Sequence, residues 1–384
     1  MADYELLVRG GTLIDPALGI HERRDVAFKD GIVAAVEPNL PASAASKSID
    51  ASDYLIAPGM IDLHVHVFEG ISHLGVHADE SCLAHGVTTA VDAGSAGADT
   101  FAGFRKYIIE PSDTRIYAHL NISSQGMLSP VVGELEELKW ADVTRALEVI
   151  ENNRDRIIGV KVRLTRDSIV SEAAGLSPLF RAREAADAAG IPIMVHPQNA
   201  WCQSLDDILS VMRSRDILTH SYHGFRHGIL DERGRIRSSV RKARERGVIF
   251  DVGHGAGSFD WDVCKTALDQ EFKPDTISSD LHTGNIYGPV YDLATTVTKF
   301  LHLGFSTEEA LARVTAEPAR ILGIPEIGTV AVGSRGDLVI LEMENGSFAL
   351  TDSRGQTLAG NKRLAPRWVI KDGVVFKGPT SADL

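Results

Sequence analysis

GMIDLHVHVFEG, residues 59–70, sets two histidines, His64 and His66, two positions apart in an otherwise apolar run. Successive side chains of a strand point to opposite faces, so residues i and i+2 share one. On a buried strand both imidazoles therefore project in the same direction. Such a pair either begins a metal site or fills a core with polar rings, and the rest of the chain has to decide between them.

Downstream the pattern alternates. Apolar runs of strand length recur as MIDLHVHV, VTTAVDAG, RIYAHLNIS, IIGVKVRLT, IPIMVHP, ILTHSY, GVIFDVG and DTISSDLH. Amphipathic stretches (WADVTRALEVIENNR, LSPLFRAREAADAAG, LDDILSVMRSR and IRSSVRKARERG) separate several of them. Eight strands with interposed helices, over about 260 residues, predict an α/β fold, a (β/α)8 TIM-like barrel. A doubly wound open sheet is the structural alternative, but no glycine-rich phosphate loop follows the first strand. The chain ends read differently, as short apolar runs broken by tight turns. VAFKDGIVAAV and WVIKDGVVF even share a Lys-Asp-Gly hairpin turn. Residues 1–57 and 323–384 are expected to join into a small β-sandwich domain, with 58–322 forming the catalytic barrel.

Composition narrows the class of function. The 384 residues are 44% hydrophobic and 24% charged, ordinary values for a globular protein. A net charge of -13 argues against nucleic acid or an anionic membrane as the main partner. Three scattered cysteines, Cys82, Cys202 and Cys264, offer no CxxC pair and fit a reducing compartment. The start has no basic segment followed by an apolar one, and no run reaches the length of a membrane span. A cytoplasmic protein is expected, and nothing opposes a homo-oligomer.

In such barrels chemistry sits at the C-terminal ends of the strands. Those positions hold His64 and His66 in the first strand, Lys161 in the fourth and His196 in the fifth. The sixth offers His220 and His223, and the eighth Asp280 and His282. Any one of them alone also reads as a hydrogen-bonded rim residue, a snorkelling lysine or a cap. Together they supply imidazole nitrogen and carboxylate oxygen, the donors favoured by zinc and related divalent ions. Lys161 is the odd member, because an ammonium repels a cation and is costly to bury. A desolvated lysine loses its proton and becomes a nucleophile. On capturing carbon dioxide it becomes a carbamate, an anion with two oxygens that can bridge two metals.

The order HxH, K, H, H, D on successive strands resembles the amidohydrolase superfamily of binuclear metallohydrolases. APGMIDLHVHV is its most specific marker, and GGTLID, DVAFKDGIVAAV, EPARILGI and GTVAVGSRGDLVIL extend the resemblance over most of the chain. Through GVTTAVDAGSAGADTFAGF, HLNISSQG and SDLHTGN it is most similar to the bacterial deacetylase and dihydroorotase-like subgroup. The resemblance implies two divalent ions, most simply Zn2+. His64, His66 and Asp280 would hold the more buried one, His196 and His220 the outer one, and carboxylated Lys161 would bridge them. It implies a binuclear metal-dependent hydrolase in which a bridging hydroxide attacks a carbonyl and Asp280 serves as general base and acid. The expected substrate is a small acyl compound, amide or ester, such as an N- or O-acetylated amino or hydroxy acid. In the dihydroorotase branch an arginine stands two residues after the second histidine; here that residue is Phe68, which weighs against a cyclic amide. A cyclic-amide hydrolase and a non-catalytic scaffold of the same fold remain the alternatives. Substrate contacts are expected from Gly97 in the glycine-rich DAGSAGAD turn, and from His223, His282, Asn285 and Tyr287. His73 and His77, on the long first loop, are not expected to be ligands.

Overall fold

In the computed structural model, which describes residues 2–166 and 169–377, seven parallel strands form one curled sheet in chain order. They are β1 (Met60–Val65), β2 (Val87–Gly97), β3 (Arg115–Asn121), β4 (Ile157–Arg163), β5 (Ile193–His196), β6 (Ile217–Leu218) and β7 (Ile249–Phe250). Every residue of β1 and β2 is buried, as expected of parallel strands covered on both faces. The eighth apolar run lies between the two edges of this sheet. Thr276 forms a parallel bridge to Asp251 beyond β7, and Leu281 forms one to Val65 of β1. Backbone bonds from Asp280 N to His64 O (2.7 Å) and from His66 N to Leu281 O (3.0 Å) complete the contact. The run is irregular rather than a continuous strand because Asp280 adopts φ 49°, outside the extended region.

The expected helices form at Val143–Asn152, Ser177–Ala189, Leu205–Leu209 and Ser238–Glu245. The third is shorter than its sequence pattern. Ser204 and Asp207 start it with a reciprocal capping box, but the Ser210 hydroxyl bonds back to Asp207 O at 2.8 Å and the helix stops there.

The chain ends build two further sheets. One holds four strands, all from the first fifty residues. The other, of six strands, joins the ends directly: Leu55–Pro58 pairs antiparallel with Leu338–Leu341 of the long strand Leu338–Thr351. Leu6, Val8 and Phe28 of the first sheet share one hydrophobic cluster with Leu13, Ile56, Leu338, Ile340 and Ile370 of the second. Both Lys-Asp-Gly turns have the two positive φ values of a type I′ hairpin: Asp30 53° and Gly31 76°, Asp372 45° and Gly373 75°. They pack side by side through Gly336, whose N–H bonds Gly31 O and whose carbonyl accepts from Gly373 N. The tip of the long C-terminal hairpin also reaches the barrel, where Ser353 Oγ donates to Gly255 O at 2.9 Å. Among the described residues no helix is long and apolar enough to cross a membrane.

Candidate active site

The two histidines of β1 do share a face. Their ring centroids are 5.5 Å apart, and both Nε2 atoms approach the same oxygen, Asp280 Oδ1, at 3.3 Å from His64 and 3.2 Å from His66. Their other nitrogens are held from behind. His64 Nδ1 lies 2.8 Å from Thr219 Oγ1, whose own proton goes to Asp251 Oδ2 at 2.8 Å. Thr219 must therefore accept from His64 Nδ1–H, leaving a lone pair on Nε2 facing Asp280. His66 Nδ1 meets Ser95 Oγ at 2.9 Å. His220 Nδ1 donates to Gly253 O at 2.7 Å, which likewise frees its Nε2.

Around this nucleus one cavity of about 270 Å³ is lined by His64, His66, Lys161, His196, His220, Asp280 and His282. The His196 and His220 rings stand 4.3 Å apart, and His220 lies 4.8 Å from His64. Lys161 is 1% exposed, with Nζ 3.3 Å from His64 Nε2 and 3.4 Å from Met194 Sδ. Burial pushes its ammonium down to about 7, opposed by the Asp280 charge. Burial also lowers His64 well below its ordinary value, with Lys161 adding to the effect, and brings His220 to about 4. Burial would raise the Asp280 carboxyl, but its bond to His66 and the His220 and His66 rings hold it below the usual range. The site thus collects the unprotonated imidazoles of His64, His196 and His220, an ionised carboxylate and an amine that sheds its proton near neutrality. Asp280 and His220 both sit at positive φ, 49° and 59°, strain of the kind that clusters at functional sites.

Three carboxylates that sequence reasoning passed over hold this arrangement. Asp62 accepts from Ser279 N (3.0 Å), the Ser279 hydroxyl and His64 N (3.2 Å), tying β1 to the 275–281 segment. Asp92 takes Val67 N at 2.9 Å and Ser95 N at 2.7 Å, fixing the exit of β1 against β2. Asp251 receives the hydroxyls of Thr219, Thr276 and Ser278. Their only sequence signal is a polar residue inside an apolar strand (DLHVH, VDAG, FDVG). Asp251→Ala would leave three buried hydroxyls without their acceptor. It is expected to lower unfolding free energy by about 2–4 kcal/mol in urea titration. A loss below about 1 kcal/mol would mean that solvent takes over the carboxylate's role.

The expected substrate contacts fare unevenly. His282 lines the cavity, its Nδ1 accepting from Gly284 N at 3.0 Å, so the neutral ring carries its proton on Nε2. His223 is buried and accepts from Phe225 N at 3.0 Å through Nδ1, but it does not line the cavity. Three others require correction. Gly97 donates its N–H to Thr100 Oγ1 at 3.0 Å, while Asp92 takes the N–H groups of Gly94 and Ser95, so these three donors are already bound within the fold. Glycine is required there for close packing, since a Cβ would lie 1.9 Å from Ser123 O. Asn285 is spent on the loop itself, accepting from His282 N and donating to Asp280 O. Tyr287 is 88% exposed and borders a different cavity, beside Phe348 and Arg363. Arg163, Gln198 and His73 line the site cavity without having been expected there.

A model of the amidohydrolase family matches residues 55–375. A deacetylase of Brucella anthropi is 34% identical over 346 residues, covering 89% of this chain and 85% of that protein. Among solved structures, one of an adenine deaminase superposes with a TM-score of 0.90 at 32% identity, covering 98% of this chain and all of the other. One of a dihydroorotase gives 0.87 at 31%, covering 97% and 99%. The histidines and aspartate converging at the sheet's C-terminal edge are thus set in a fold and sequence shared along nearly the whole chain, which belongs to the amidohydrolase family of metal-dependent hydrolases.

Proposed function

We propose that this protein cleaves the acyl bond, amide or ester, of a small N- or O-acetylated amino or hydroxy acid with the help of two divalent ions. The observation that carries this reading is the convergence of two imidazole Nε2 atoms on one ionised carboxylate oxygen, with Lys161 and a second imidazole pair around it. That donor set suits zinc. His64, His66 and Asp280 would hold one ion and His196 and His220 the other, with carboxylated Lys161 between them. When bound, the ions supply Lewis acidity toward the acyl carbonyl and toward water. Asp280 would take a proton from the attacking water at its carboxylate and return it to the leaving nitrogen or oxygen. Thr219 and Gly253 hold the imidazole tautomers of His64 and His220 that this chemistry needs, and Ser95 holds the ring of His66 in place.

The same reading takes 58–322 as a closed (β/α)8 barrel, supported by the bridges of residues 276 and 281 to opposite edges of the sheet. It takes the end sheets, 1–57 plus 323–384, as a β-sandwich, supported by their shared hydrophobic cluster; residues beyond 377 lie outside those described. Relatives named deacetylase favour a linear acyl substrate. Phe68 packs its ring 4.8 Å from Phe104, where a cyclic-amide enzyme would be expected to present a cation. The test is elemental analysis of protein prepared with divalent metal and bicarbonate, followed by hydrolysis of a panel of acylated amino and hydroxy acids and cyclic amides. About two ions per chain and turnover of the linear compounds are expected. One ion or none at saturating metal would overturn the bridged site, and turnover of cyclic amides alone would overturn the substrate class.

A further inference from the structure

Two polar side chains in the site cavity keep donors that neither the metal-donor set nor the fold uses. Arg163 stands two residues beyond Lys161 on β4, so it shares that face and lies about 7 Å further along the strand, toward the cavity mouth. Its Nη1 donates to Glu134 Oε1 at 2.6 Å, and buried Glu134 is in turn held by Asn121 Nδ2 at 3.2 Å. Among the described residues none accepts a hydrogen bond from Arg163 Nε or Nη2, so one edge of an oriented guanidinium is open. Gln198, two residues after His196, is 7% exposed, and its Nε2 has no hydrogen-bond partner among the described residues. A buried amide N–H without an acceptor is costly, and in a ligand cavity it marks a place for one.

From this arrangement we infer that Arg163 and Gln198 form a carboxylate clamp that holds the α-carboxylate of the acyl substrate. The inference rests on the hydrolase reading and adds the residues that recognise the substrate's acid group. A planar guanidinium edge matches the two oxygens of a carboxylate, and an amide N–H beside it supplies a third donor. Glu134 occupies the other side of the fork and fixes its plane. The cation that position 68 lacks is thus supplied from β4, immediately above Lys161. In a cavity of about 270 Å³ an anion held there lies close to an acyl group at the donor set, which favours the α-carboxylate over a more distant one.

The test uses the metal-loaded protein and ligands that cannot be hydrolysed, N-methylsulfonyl derivatives of alanine and leucine in both enantiomers, each as the free acid and as the primary amide. Calorimetric titration should show the wild type binding at least one acid about 30-fold or more tightly than its amide. Arg163→Gln should bring that ratio within about 3-fold with metal content unchanged. The double variant Glu134→Gln/Arg163→Gln, which removes the carboxylate left unpaired by the single change, should do the same. Gln198→Leu should weaken acid binding by about 3- to 10-fold, leave amide binding alone and keep or raise the melting temperature. A wild type that binds no acid, or binds acid and amide equally, overturns the clamp, as does a preference that survives both arginine variants. Hydrolysis of N-acetylalanine and N-acetylleucine on the same preparations separates the two readings. Acid preference without turnover would remove the hydrolase and keep the clamp, whereas turnover of acid and amide alike would do the reverse.

Discussion

Asp280→Asn is expected to lower kcat for the acyl substrate by about 10³-fold or more while the bound ions stay in place. Asparagine keeps the shape of the side chain and one acceptor oxygen, and His64 and His66 remain as donors at 3.3 and 3.2 Å from that position. It cannot take up a proton, and the wild-type group is the one carboxylate among the described residues lining the cavity and is ionised there. Steady-state rates paired with elemental analysis decide the matter. Near-normal turnover with the ions retained would remove Asp280 from proton transfer.

The second large effect is expected at Lys161. Lys161→Ala should cost about 10³-fold or more in kcat and reduce the metal content to about one ion per chain. A short carboxylate added to the buffer should restore part of both, because it replaces the anion the shortened side chain can no longer carry. The pH dependence has a definite sign. With the ammonium pushed down to about 7 by burial, the reactive amine is the minor form below that pH and the major form above it. Reloading of metal-stripped protein at fixed dissolved carbon dioxide should therefore be about tenfold faster at pH 8 than at pH 6. A reloading rate independent of pH and bicarbonate, or full metal content in the alanine variant, would rule out a carbamate at this position.

Much of the site could be read from the chain because each residue follows an apolar strand run. His64, His66, Lys161, His196, His220 and Asp280 were singled out on that basis and share one cavity. The strand order was equally accessible, since strands in this sheet neighbour one another in chain order. Residues whose roles depend on what lies opposite them were not accessible. Gly97 was expected to present its N–H to a ligand, but Thr100 takes that bond and Ser123 O leaves no room for a side chain. Asn285 follows Asp280 closely in sequence, yet both ends of its amide are bound within its own loop. Tyr287, two residues on, turns out to solvent.

Arg163 carried no signal beyond its place two residues after Lys161, and Gln198 only its place after His196. What marks them is a free guanidinium edge and an unpartnered amide, and such absences exist only once every neighbour has a position. The sequence by itself determined the alternation of strand and helix, the pairing of the chain ends and the donor residues, because hydrophobic period and residue chemistry are local properties. Tertiary structure alone decided that His64 and His66 meet the same oxygen of a residue more than two hundred positions away. It also decided which imidazole nitrogen faces the cavity, through Thr219, Ser95 and Gly253 on other strands and loops. The physical reason is that hydrogen-bond direction and exclusion of water depend on groups brought together from distant parts of the chain, and no local pattern encodes that distance.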